Sequence, residues 1–229
     1  MSKREYIFVE FNGLKWRVDY LGKHTYLLIA KKEIAIEQIH QSTFLIKEIF
    51  GTELKDIVPA YHSIAIFIEK PIAWAIDQLS NSAEITAQHI PSTDGIEVPI
   101  CYELGMDLDH ISSMSALSKE EVINVHLGGI YQSLFIGFTP GFIYAGGLDT
   151  RLECARKTNP RKRVEAGSIG IGGSQTGIYS LASPGGWNII GRTPLQIFDQ
   201  NRSKPLLLEA GTSFKFYRIT KEKFEKWEN

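Results

Sequence analysis

Cysteine is scarce in this chain, and its scarcity removes two ways in which a fold can be held together. Only Cys101 and Cys154 occur, neither in a C-x-x-C pair nor beside a histidine at metal-ligand spacing. A disulfide framework and a structural metal centre are therefore excluded as organising principles, and two buried free thiols in a reducing cytosol are expected. An excess of one charge is also missing. The chain has 25 Lys and Arg against 26 Asp and Glu, which leaves no net field to gather nucleic acid or an anionic membrane. No apolar run reaches the ~18 residues of a membrane span. Met1-Ser2-Lys3-Arg4-Glu5 leads into alternating residues rather than the apolar core of a signal peptide. The expectation is a soluble cytoplasmic protein with no nucleic-acid and no membrane partner.

What is present is enough for two domains. A chain of 229 residues exceeds the usual ~100–150 of one domain, and folding at this length buries roughly 70% of the surface of the unfolded chain. Residues 6–11 and 14–20 alternate in polarity around Asn12-Gly13, a dipeptide that tolerates the positive φ angles of a two-residue hairpin turn. A short apolar run over 25–30 follows. Ile36, Ile39, Ile46, Ile49 and Phe50 then share one helical face up to Gly51. Residues 57–58 and 63–68 read as strands, and Pro71 can start a helix that carries Ile72, Ile76 and Leu79 on one side. These elements predict a small α+β sandwich. A possible strand over 84–89 and the turn-rich Pro91-Ser92-Thr93-Asp94-Gly95 mark the domain boundary. Beyond it, residues 96–102 read as a strand and Ser118-Lys119-Glu120-Glu121 as a capping box that opens a short helix toward Val125. From Gly128 to Gly211 glycine and proline recur between short apolar pieces, the pattern of an all-β barrel with tight corners.

The candidate chemistry lies in that second half. Phe135-Ile136-Gly137-Phe138-Thr139-Pro140-Gly141-Phe142-Ile143-Tyr144-Ala145-Gly146-Gly147-Leu148 must break at Pro140-Gly141. It is either a bulged core strand or an aromatic pocket edge whose glycines admit a ligand to the backbone. Arg156, Lys157, Arg161, Lys162 and Arg163 follow with no acid among them; they form a solvated loop or present guanidinium forks to a carboxylate or phosphate. Residues 166–177 are glycine-rich, but Ile178 stands where a Walker A lysine would and Gln175 where G-x-G-x-x-G needs glycine. Neither nucleotide loop applies, although successive backbone N–H groups here can still form an anion nest. Trp187 serves either as a core anchor or as a ligand platform. His126, at the end of the capped helix, is structural or catalytic by the same reasoning.

Several segments taken in order resemble the signature of the carboxyltransferase C/D-type family. They are His126 with Tyr131, Gly137-Phe138-x-Pro140-Gly141-Phe142-x-Tyr144-x-Gly146-Gly147-Leu148, Pro160-Arg161-x-Arg163-Val164, Ala166-Gly167-Ser168, Gln175-Thr176-Gly177-Ile178-Tyr179, Ser183-Pro184-Gly185-Gly186-Trp187 and Gly191-Arg192-Thr193-Pro194. This family includes the B-type subunit of the ATP-dependent 5-oxoprolinase, also called allophanate hydrolase subunit 1, and the Kip-type histidine-kinase inhibitors. Val58-Pro59-Ala60-Tyr61-x-Ser63 extends the likeness into the first half. Ile143, Ala145, Glu165 and Ser180 depart from the family's usual residues.

The resemblance implies an α+β chain, with an N-terminal α+β domain over 1–90 and a cyclophilin-like all-β barrel over 91–229. Fold alone does not transfer prolyl isomerase activity. The resemblance also implies a subunit of an enzyme that uses ATP to open 5-oxoproline to glutamate, inactive without two further 5-oxoprolinase subunits, a paralogous C-type one and an A-type one. Mg2+ would be held by substrate or a partner, with no metal on this chain. In that frame His126 is the proton carrier, and Arg161, Arg163 and Arg192 hold negative charge. Gln175 orients the substrate amide, while Pro140, Phe142, Tyr144, Thr176 and Trp187 line the pocket. Two other functions fit the same likeness. One is a regulator that binds the dimerisation helices of a sensor histidine kinase. The other is the carboxyltransferase half of a urea or allophanate enzyme served by a biotin carrier. The enzyme reading requires the arginines and Gln175 to converge on one cavity.

Overall fold

The computed structural model describes residues 6–30, 34–82 and 96–227. The chain divides into two compact units, Met1–Ile90 and Pro91–Asn229, and each has its own apolar core. The strand expected over 84–89 and the turn at 91–95 lie outside the described residues.

The first unit opens with the expected hairpin. Strands β1 (Ile7–Phe11) and β2 (Leu14–Gly22) pair antiparallel, and Asn12 and Gly13 take positive φ angles of 52° and 68°, as a type I′ turn requires. With β3 (Thr25–Ile29), β4 (Leu54–Pro59) and β5 (Ser63–Ile68) they form an antiparallel sheet in the order β1-β2-β3-β5-β4. Alternation along the strands turns Val9, Trp16, Val18, Leu28, Ile64 and Ile66 to one side, where α1 (Ile36–Phe50) and α2 (Ile72–Asn81) cover them. Helix α1 buries Ile39, Ile46 and Phe50, with Ile36 and Ile49 at the edge. Each such side chain contributes about 1.5–3 kcal/mol. Gly51, at φ 48°, ends α1 and its N–H donates to the Lys47 carbonyl.

The second unit is a nearly closed barrel. Its strands are β6 (Ile96–Ile100), β7 (Tyr131–Ile136), β8 (Ile143–Gly146), β9 (Arg161–Val164), β10 (Ser168–Gly172), β11 (Gln175–Ile178), β12 (Ser183–Gly185), β13 (Asn188–Arg192) and β14 (Ser213–Arg218). Seven form one sheet in the order β13-β10-β11-β8-β7-β14-β6, while β9 and β12 make a separate ribbon. Among the described strands only β14 and β6 pair in parallel. The two ends of the sheet meet just past β6: the Cys101 N–H donates to the Arg192 carbonyl at 2.8 Å and the Arg192 N–H to the Cys101 carbonyl at 3.0 Å. Both cysteines are buried free thiols.

Among the described residues three α-helices complete this unit: α3 (Leu108–Ser115), α4 (Lys119–Leu127) and α5 (Lys221–Glu225). Helix α4 carries the expected capping box. Ser118 Oγ accepts from the Glu121 N–H, and the Ser118 N–H donates to Glu121 Oε2 at 2.8 Å. The stretch around Pro140-Gly141 is not one bulged strand but two strands joined by a turn, with Gly141 at φ 77°. Period-2 alternation then sorts the apolar residues. Ile143, Ala145, Ile178 and Ile190 fill the main barrel core. Their neighbours Phe142, Tyr144, Tyr179 and Ile189 belong to a second, smaller cluster with Val164 and Trp187.

Candidate functional site

The smaller cluster forms an aromatic wall on the face of β8, β11 and β13 opposite the main core, beside the β9–β12 ribbon. The Phe142 ring is fully buried and lies 4.7 Å from Tyr144, 4.9 Å from Tyr179 and 5.6 Å from Trp187, centroid to centroid. Glycine makes this possible. A Cβ on Gly172 would come within 2.7 Å of the Trp187 indole, and one on Gly177 within 3.0 Å of both Phe142 and Trp187. The indole therefore rests on strand backbone that any side chain would push away. Trp187 anchors this cluster and carries the Arg156 guanidinium 4.9 Å above its ring, a cation–π contact.

A buried acid arranges the cationic segment. Asp107, the N-cap of α3, is 4% exposed. Its Oδ1 accepts from Arg161 Nη2 at 2.7 Å and Lys157 Nζ at 2.8 Å, and its Oδ2 accepts from the Ile189 N–H at 2.7 Å. Burial pushes this carboxyl up, but the hydrogen bonds from Arg161, Lys157 and Ile189 outweigh it and hold the group below the usual carboxylate range. Lys157 and Arg161 are thus tied down, while Arg156, Lys162 and Arg163 stay exposed. Asn188 ties the start of the segment to the barrel, donating from Nδ2 to the Ala155 carbonyl at 2.9 Å. Several polar atoms of this wall and ribbon are buried and without a hydrogen-bond partner among the described residues: Arg161 Nη1, Gln175 Nε2, Tyr179 Oη, Ser183 Oγ and Asn188 Oδ1. Gln175 lies two residues before Gly177 on β11 and so projects to the same side as the aromatic wall.

The structure brings Phe142, Tyr144, Trp187, Arg161 and Gln175 to one face and separates the other expected site residues. Pro140 is exposed on the turn beside the wall, where its carbonyl accepts from Ser180 Oγ at 2.5 Å. Thr176 is fully buried and donates from Oγ1 to the Gly170 carbonyl at 3.2 Å, so it cross-links strands and faces no ligand. Arg163 points into solvent and pairs with Glu165 at 2.7 Å. Arg192 donates to the Ala166 carbonyl at 2.7 Å and lies over the Phe224 ring at 5.5 Å. The convergence of three arginines expected from the sequence therefore reduces to Arg161, joined by Arg156.

His126 also departs from its expected role. It is fully buried among Tyr102, Tyr131 and Phe216, its Nδ1 lies 2.7 Å from the Tyr102 hydroxyl, and its ring stacks on Phe216 at 4.7 Å. Burial pushes its pKa down to about 3. A neutral ring inside a hydrocarbon core carries no proton to a surface site. Asp107 was the residue the sequence concealed; the one available signal was a cationic run with no nearby acid to balance it. Among the described residues no set of three or more His, Cys, Asp or Glu side chains gathers as metal ligands, and no helix is long and apolar enough to cross a membrane.

The chain is similar to known proteins in sequence and in fold. The family model described as "Carboxyltransferase domain, subdomain C and D" matches residues 16–208. The chain is 33% identical to the B-type subunit of 5-oxoprolinase from Bacillus subtilis (strain 168), over 93% of this chain and 97% of that protein. It is 39% identical to the protein of the same name from Escherichia coli O157:H7, over 70% of this chain and 76% of that one. The solved structure of TTHA0988 superposes with a TM-score of 0.73 at 28% identity, covering 85% of this chain; this chain spans 40% of TTHA0988. The aromatic wall, its glycine bed and the family match over most of the length lead to one assignment: the chain belongs to the family of carboxyltransferase domains, subdomains C and D.

Proposed function

We propose that this chain is the B-type subunit of an ATP-dependent 5-oxoprolinase, acting with two further subunits, a paralogous C-type one and an A-type one, to open 5-oxoproline to glutamate. The observation that carries the reading is the pairing of an aromatic wall with Arg161 Nη1 and Gln175 Nε2, two of the buried donors that have no hydrogen-bond partner among the described residues. Buried donors without partners cost about 1–3 kcal/mol each, a cost that an anionic, amide-bearing substrate would offset. The names of the relatives from Bacillus subtilis and Escherichia coli support the same substrate.

A lactam carbonyl resists water until its oxygen is made part of a leaving group. Transfer of the ATP γ-phosphoryl to that oxygen supplies the activation. Water then adds to the carbon, the C–N bond breaks with proton transfer to nitrogen to leave an acyl phosphate, and a second water cleaves that acyl phosphate to glutamate and phosphate. Arg161 and Arg156 neutralise negative charge on the bound groups, Gln175 donates to the substrate amide oxygen, and Tyr144 and Trp187 limit access of bulk water. ATP is a substrate here, with Mg2+ carried on its phosphates or held by one of the partners. The proton carrier is assigned to a partner, because His126 is enclosed in the core.

The test is glutamate formation by the reconstituted three-subunit mixture. Gln175→Leu and Arg161→Met should each lower kcat/KM by about 10- to 100-fold, and unchanged turnover in both would remove this face from the reaction. A second reading, the kinase regulator, draws on Phe138 and Leu181, exposed by 64% and 39% in the loops beside Pro140, since apolar rims suit protein partners. Capture of a kinase dimerisation-helix fragment by the chain alone, with no glutamate formed by the mixture, would favour it.

A further inference from the structure

The cationic segment carries its charge on long flexible side chains, and one buried group decides where Arg161 stands. Arginine side chains at a surface sample many rotamers, and holding one in place costs side-chain entropy. Asp107 opposes that cost from inside the protein. Its carboxylate is tied to three separate parts of the barrel unit at once: the start of α3, the cationic segment through Lys157 and Arg161, and the backbone of β13 through Ile189. The backbone adds a second tie, because the Asp107 N–H donates to the Ile189 carbonyl at 2.8 Å. Asp107 is therefore fixed to the strand that adjoins Trp187.

Arg161 is held on its other side as well. It lies opposite Gly185 in the β9–β12 ribbon, and a Cβ on Gly185 would come within 2.8 Å of the Tyr179 ring, so the ribbon rests directly on the aromatic wall. One arm of the guanidinium, Nη2, is taken by Asp107, while the other, Nη1, is buried and has no hydrogen-bond partner among the described residues. A fork with one prong anchored and one left over is oriented for a further acceptor.

We propose that Asp107 is a positioning residue: its buried carboxylate clamps Arg161 through Nη2 so that Nη1 is presented, pre-oriented, to an anionic group of the substrate. The proposal rests on the reading of Arg161 given above and adds to it the residue through which Arg161 acts. The anionic group is a carboxylate or a phosphate. Asp107 itself touches no substrate, since its oxygens are occupied by protein donors.

The clamp can be read without turnover. In the isolated chain labelled with 15N-arginine, Arg161 should give a guanidinium signal with restricted rotation, identified by its absence in Arg161→Lys. In Asp107→Asn that restriction should be lost. In the assembled enzyme the same variant should raise the KM of one substrate about tenfold with kcat within about twofold, as expected when binding rather than chemistry is weakened. A rise for 5-oxoproline identifies a carboxylate, and a rise for ATP a phosphate. Arg161 still restricted in a folded Asp107→Asn chain would overturn the clamp. Arg161 released with both KM values unchanged would instead overturn the substrate role of Arg161, and with it the positioning role, while leaving the family assignment intact. Should Asp107→Asn fail to fold, Arg161→Lys serves, because it leaves Asp107 a cation but removes the second prong. It should raise the same KM at unchanged Tm, and an unchanged KM there would overturn the proposal.

Discussion

At the end of α4 stands a histidine whose place near glycine-rich strands suggests a proton carrier, and burial removes that capacity. The unfolded ring of His126 takes up a proton near its ordinary 6.5, whereas the folded ring does so only near about 3. The unfolded state therefore binds more protons across this window. The stability contributed by the neutral buried ring is complete above pH 6.5 and is lost as pH falls from there toward 3, at up to about 1.4 kcal/mol per pH unit. Asp107 acts in the same direction lower down, because its carboxyl is held below its ordinary 3.8 and its contribution fades only beneath that value. Urea melts between pH 7 and 4.5 should show a falling midpoint, while the His126 ring keeps the nitrogen shifts of a neutral imidazole. A charged ring in the folded chain at pH 5 would contradict this account.

Among the elements, α3, like β14 and α5, is one that the sequence does not announce, although it carries Asp107 at its start. It has eight residues, several of them serine, and buries only Leu108 and Ile111, too few apolar positions for a helical period to emerge. Packing supplies what propensity lacks. Gly105 precedes α3 where a side chain would collide with the Ile190 carbonyl of β13, so glycine allows the helix start to sit against the strand. Gly105→Ala should destabilise the barrel unit by about 1–3 kcal/mol, the usual cost of forcing a methyl group into occupied space. Urea denaturation measures it, and a change under ~0.5 kcal/mol would show that the contact yields. The hairpin at Asn12-Gly13 and the capped α4 behave oppositely, because their signals are local dihedral preferences and short-range hydrogen bonds that neighbouring residues settle alone.

On the scale of the whole molecule, closure of the barrel depends on partners distant in the chain. Strand β6 lies beside β14 in parallel, and Cys101 meets Arg192 to join the two ends of the sheet. The core that results shares no residue with the core of the first unit. A chain made of residues 91–229 should therefore fold alone in one cooperative transition, with midpoint and amide-exchange protection near Cys101 and Arg192 matching the full chain. Loss of that protection in the fragment would mean that the first unit is needed to close the barrel.

Strand alternation, the α1 face, the hairpin turn, the helix cap and the order of glycine-rich motifs are determined by the sequence itself, because each rests on neighbours within a few residues or on a pattern of fixed period. The family resemblance, rather than any period, grouped Phe142, Tyr144 and Trp187 as pocket lining, while the residue order itself identified the cationic run. Which cations matter was decided only in three dimensions. Arg163 turns to Glu165, Arg192 to Ala166 and Phe224, and His126 into hydrocarbon, while Arg161 is captured by an acid 54 residues earlier in the chain. A side chain's charge is written in its identity, but its direction and its proton affinity depend on what the fold packs around it.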